Sequence, residues 1–161
     1  MSSLRTFVQI IVERAGALLP DEAIDAIVGK YAETPKHPEM RLAWKWGSTH
    51  SGRRVPGWGA YVPDDFAIVM KRSKGGSPED FVLTLLHELE HYNQHVRMAD
   101  ELPRGATRQE IVDVWTESYG GELNTSSYDD NMYEVSAEAF AQAELENALQ
   151  IAGITPSWPN G

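Results

Sequence analysis

Five consecutive residues, His87-Glu88-Leu89-Glu90-His91, have the types and spacing to hold a metal ion and activate a water molecule beside it. Two histidines four apart on a helix project from one face, one turn above the other, so both imidazoles can grip one ion. The residue after the first histidine is rotated by about 100° around the axis, which sets Glu88 beside the ion as a proton acceptor rather than on it. The chain has no cysteine, so any ion must take imidazole and carboxylate donors. Catalytic zinc has three protein ligands and one open position, and a third ligand is therefore required.

His95 stands one turn further. Eight residues separate it from His87, about 12 Å along the axis, too far to share an ion with bonds near 2 Å, so it is expected at the surface or behind the ligands. The extended motif with a third histidine ten positions after the first also fails, because that position is Arg97 and Gln94 stands where its turn needs glycine. Further on, Tyr133-Glu134-Val135-Ser136-Ala137-Glu138-Ala139-Phe140-Ala141 puts Glu134 and Glu138 four apart on one face, and Ala137 and Ala141 would let this helix approach another closely. Two readings stand side by side. Glu134 completes the ion's ligands while Glu138 orients a histidine through its other N–H, or the two form a solvated acidic stripe.

The elements that must position these residues are legible from patterning. Ser77-Pro78-Glu79-Asp80 starts a helix: serine caps, proline suits the first position and acids suit the dipole. It is expected to run to about Arg97, with Val82, Leu85, Leu86, Leu89 and Val96 as a core stripe distinct from the histidine pair. Thr107-Arg108-Gln109-Glu110 is a capping box opening a helix to about Tyr119, ended by Gly120-Gly121. After a polar loop, Met132–Ile151 reads as the last long helix, followed by an irregular tail over 152–161. Upstream, residues 4–19 and 21–32 have helical periodicity, and Thr34-Pro35-Lys36-His37-Pro38 ends it. Arg41–Trp46, Trp58–Val62 and Phe66–Arg72 read as strands, with Gly47–Gly57 as a mobile loop. The expected class is α+β in one domain over 1–161: two N-terminal helices, a small, mainly antiparallel sheet of about three strands, the HExxH helix and a C-terminal ligand-bearing helix.

HELEH, a spacer with a helix, and then E-x-x-A-E-x-F-A resembles the gluzincin pattern. The second segment is similar to the E-x-x-A-N-x-F-A of ImmA/IrrE-type metallopeptidases and phage-encoded relatives, and Tyr128 through Ala141 resembles the Y-x-x-x-P-x-E-x-E-A of small zincin-like phage proteins. The likeness covers roughly residues 66–150. It implies a zincin-like fold, one zinc ion held by His87, His91 and Glu134, support from Glu138, and Glu88 as the catalytic residue of a metallopeptidase. Glu138 replaces the usual Asn or Asp, and Met132-Tyr133 stands where proline is common.

On this expectation zinc acidifies a water and polarises a scissile carbonyl, while Glu88 takes the proton and passes it to the leaving amine. The oxyanion needs a further donor, for which Tyr128, Tyr133 and His95 are candidates. Phe66-Ala67-Ile68-Val69-Met70 is either an edge strand that pairs with an extended peptide or a central strand.

Composition narrows the partners. The formal net charge is −10, although residues 41–74 hold seven of the 14 Lys and Arg against two of the 24 acids. A strongly acidic body argues against general nucleic-acid binding, and the basic stretch reads as solvated charge or as a contact for an acidic partner. No apolar run is long enough to span a bilayer, and Phe7–Val12 is interrupted by Gln9 with no cleavage site after it, so a cytoplasmic protein is expected, in the host cytoplasm if phage-encoded. The substrate class is then a peptide or protein. The main rival is a catalytically silent zinc-binding regulatory or interaction module of phage or mobile-element origin. A DNA-associated protease resembling the SprT-like class is opposed by the acidic balance and the Glu ligand, and hydrolysis of a non-peptide amide would use the same metal chemistry.

Overall fold

A computed structural model describes residues 19–46, 49–50, 53–54, 57–71, 77–125 and 130–154. The expected first helix, apart from Leu19, and Tyr128 lie outside the described residues.

Helix formation follows the capping chemistry. Among the described residues there are four α-helices: α1 (Asp21–Tyr31), α2 (Pro78–Asp100), α3 (Arg108–Thr125) and α4 (Met132–Ala152). Ser77 Oγ accepts from the Asp80 N–H at 3.1 Å and Asp80 returns the bond, so α2 begins where four orphan N–H groups would otherwise be unsatisfied. Thr107 and Glu110 make the same reciprocal pair at the start of α3. That helix continues through Gly120-Gly121, contrary to the stop expected there: a glycine pair weakens a helix but does not end one whose face is already packed. Asn131 caps α4, and Gly153, with φ of 76°, closes it in the left-handed conformation that glycine adopts without strain.

Three of the strands make one sheet in the order β1 (Ala43–Trp46), β5 (Ala67–Met70), β4 (Gly59–Val62). The strand positions agree with the expected ones, but the sheet is mixed rather than mainly antiparallel. β5 runs parallel to β1, with Ala43 opposite Ala67, and antiparallel to β4, with Gly59 opposite Met70. All four residues of β5 are buried, so Phe66–Met70 supplies the central strand and β4 forms an edge. Within the Gly47–Gly57 stretch read as a loop, Thr49–His50 (β2) pairs with Arg53–Arg54 (β3) as a small separate hairpin.

The core lies between the sheet and the helices. Val82, Leu85, Leu86, Leu89 and Val96 of α2 are buried with Ile24 and Ile27 of α1 and Ile68 of β5, each contributing about 1.5–3 kcal/mol through burial. Ala137 and Ala141 are fully buried on the side of α4 that meets α2. Their small size brings the two helices close enough for residues some fifty positions apart to share one cluster. No helix among the described residues is long and apolar enough to cross a membrane.

Candidate metal centre

His87 and His91 leave α2 on the same side, with ring centroids 4.9 Å apart. Their ligand atoms and one from Glu88 all lie within 4.8 Å of one another, a group that could hold a metal ion. α4 brings Glu134 between the imidazoles: Oε1 lies 2.7 Å from His87 Nε2, and Oε2 lies 3.1 Å from His91 Nε2. Tetrahedral bonds near 2.1 Å would separate ligand atoms by about 3.4 Å, and the two nitrogen–oxygen separations at Glu134 lie somewhat below that value.

The far side of each ring is anchored. His87 Nδ1 faces Glu138 Oε2 at 2.9 Å, and a carboxylate there accepts the Nδ1 proton. His91 Nδ1 faces Gln94 Oε1 at 2.9 Å, and Gln94 Nε2 donates to the Tyr133 carbonyl at 3.0 Å. That second bond fixes which end of the amide meets the ring, so His91 also carries its proton on Nδ1. Both Nε2 atoms are thereby turned toward Glu134, to which each donates while its ring is protonated and beside which each would offer a lone pair to a metal once that proton is lost.

Electrostatics couple the cluster. Burial alone would lower the His87 pKa, but hydrogen bonding to Glu134, the nearby Glu88 charge and the Glu138 contact outweigh it and raise it to about 9. His91 is raised in the same way, against its own burial. Burial also opposes ionisation of Glu134, yet hydrogen bonds from the two histidines hold its carboxyl well below the usual carboxylate range. Glu88 behaves differently: desolvation pushes it up to about 7 despite the two histidines, and its carboxylate accepts the Tyr61 backbone N–H.

The site opens into a cleft of about 440 Å³. Glu88, His91 and Glu134 line one part of it, Gly59, Ala60 and Tyr61 of β4 one wall, and Trp115, Thr116, Tyr119 and Gly120 of α3 the other. Trp115 stacks on Tyr119 at 5.3 Å, and Tyr133 packs against both rings.

His95, expected at the surface or behind the ligands, is instead completely buried. Nδ1 lies 2.7 Å from the Tyr61 hydroxyl and Nε2 lies 2.6 Å from the Ile111 carbonyl, so Nε2 donates and Nδ1 accepts. Desolvation lowers its pKa, only partly offset by that carbonyl, and with both nitrogens engaged it is a core histidine rather than an oxyanion donor. Tyr133 contributes its ring to the aromatic wall and its carbonyl to Gln94. Sequence reasoning missed Tyr119, which lines the cleft and donates its hydroxyl to Glu134, and missed the anchoring role of Gln94. The only signals were Trp115 and Tyr119 at helical spacing, which reads first as core, and Gln94 three residues after His91.

No known protein family, curated protein or solved structure matches this chain.

Proposed function

We propose that the protein is a zinc-dependent peptide-bond hydrolase with a zincin-like fold, acting in the cytoplasm. The observation that carries the reading is the placing of Glu134 against the Nε2 atoms of both His87 and His91 while Glu88 faces an open cleft. Two imidazoles and a carboxylate are a donor set suited to catalytic zinc. A bound zinc ion would supply a Lewis acid that acidifies water and polarises the substrate carbonyl.

The remaining work falls to the chain's own groups. Glu88 accepts the proton of the attacking water and delivers it to the leaving nitrogen, a task favoured by its place on the cleft beside the histidine pair. Tyr119, within the cleft, is the hydroxyl placed to donate to a developing oxyanion when its bond to Glu134 is exchanged. Trp58 O accepts from Lys71 N–H, and antiparallel alternation then turns the Gly59 main-chain groups and the Tyr61 carbonyl outward from β5, toward the cleft, where an extended peptide could run alongside.

The test combines elemental analysis with peptide hydrolysis. Wild type should carry stoichiometric zinc, His87→Ala and Glu134→Ala should lose it, and Glu88→Gln should retain it while losing about 100-fold or more in turnover. Zinc retained by Glu134→Ala would end the three-ligand assignment. Zinc present with no hydrolysis of casein or a mixed peptide library would favour the silent binding module instead.

A further inference from the structure

Glycines in this fold have different reasons for lacking a side chain. A Cβ on Gly59 would stand 2.8 Å from Met70 Sδ and 3.2 Å from both Thr84 Cγ2 and the Val69 carbonyl oxygen, so β4 packs closely on β5 and α2 there and a side chain would force its neighbours to shift. Gly120 is the opposite case. It sits inside α3, where alanine favours the helix, and a Cβ built on it meets nothing within 4 Å. Packing does not require glycine at this position, yet Gly120 lines the cleft one residue beyond Tyr119. Gly121 beside it has equally open space but is exposed and does not line the cleft. Gly29, another helical glycine with open space, lies in the last turn of α1, where the helix is ending.

The neighbours of Gly120 indicate what would use the space. Trp115 and Tyr119 present stacked rings on the same wall, and Tyr61, across the cleft, makes an edge contact with Trp115 at 6.0 Å. The cleft is thus walled by aromatic rings, with open space at Gly120 one turn beyond Thr116, and such a wall accepts an apolar group better than a charged one. The aromatic wall reaches the histidine pair, because His91 and Trp115 have ring centroids 5.6 Å apart, and Gly120 lines the same cleft five residues further along α3.

We propose that Gly120 is a specificity-determining residue: its absent side chain opens a subsite on α3 for a bulky apolar residue next to the substrate's scissile bond. This rests on the metallopeptidase reading and adds to it a substrate preference and the residue that sets it. Leucine at position 120 would fill that open space. The substitution should shift preference toward small residues at that subsite, because pocket discrimination of this kind is worth about 10–200-fold.

Two hydroxamates test it on the zinc-loaded full chain: acetohydroxamic acid, which reaches only the metal, and a tripeptide hydroxamate carrying leucine beside the chelating group. Wild type should bind both, and Gly120→Leu should bind the small one equally while losing at least 10-fold for the peptide. In a mixed peptide library its cleavages should move from bulky apolar to Gly or Ala residues at that position. Gly120→Ala and Gly121→Ala should each raise Tm by about 1–4 °C, which shows that the helix gains from the change, while only substitution at 120 alters peptide affinity. Wild-type-like peptide affinity and cleavage preference in Gly120→Leu would overturn this inference alone. Failure of both hydroxamates on zinc-loaded wild type would overturn the metallopeptidase reading and this inference with it.

Discussion

Helix α2 carries two polar clusters, and they bury charge in opposite ways. Toward the end of α1, buried Glu90 meets Arg97 Nη1 at 3.0 Å, Arg97 also pairs with Glu33, and Asn93 bonds the Tyr31 carbonyl and the Glu33 N–H. A guanidinium supplies permanent positive charge there, and the amide satisfies main-chain groups just past a helix end. Toward the cleft, His87, His91, Glu88, Glu134 and Glu138 come together, and no Lys or Arg is among the described residues that line it. Positive charge on that side must come from protons or from an ion. The first cluster is a clip that joins α1 to α2. The second has the composition of a candidate metal site.

The contrast can be broken most sharply at the anchor of His91. Gln94→Leu removes the acceptor that keeps the His91 proton on Nδ1, and zinc affinity should fall by about 10–100-fold with helix content unchanged. A chelator competition that finds wild-type affinity would make that bond incidental. On the other side, Arg97→Ala leaves Glu90 without its cation and should destabilise the fold by about 1–2 kcal/mol in urea while zinc affinity stays the same. A drop in zinc affinity there would show that the two clusters are coupled through α2.

A further effect concerns pH in the zinc-free protein. His87 has a folded pKa raised from 6.5 to about 9, so its interactions contribute stability that is fully present below pH 6.5 and is lost as pH rises through about 9. Wild type should lose its advantage over His87→Gln across that window. Parallel Tm curves for the two proteins would show that the Glu134 and Glu138 contacts do not bind the proton more tightly in the folded state.

Much of the helical framework was legible because its signals are local. Ser77 with Asp80 and Thr107 with Glu110 act within one turn, and both helix starts appear where those residues put them. Gly120-Gly121 misled because propensity is a weak local term that α3 overrides through packing of Ile111 and Trp115. The direction of β1 relative to β5 was not legible, since alternation along a strand does not encode which neighbour it will pair with. His91 and His95 are the same residue one turn apart, yet one meets Gln94 and Glu134 while the other meets Tyr61 and Ile111. Nothing in their spacing separates those fates.

By itself the sequence determined that two imidazoles share a helix face with Glu88 beside them, because an offset of four residues is a property of the helix alone. It also left Glu134 open between ligand and solvated stripe. The tertiary structure brought that carboxylate against rings 43 and 47 positions away in the chain, lined the cleft with β4 and α3, and closed both nitrogens of His95. Each of those outcomes depends on how close two elements pack, set here by small residues such as Ala137 and Ala141, and such distances exist only once the elements have come together.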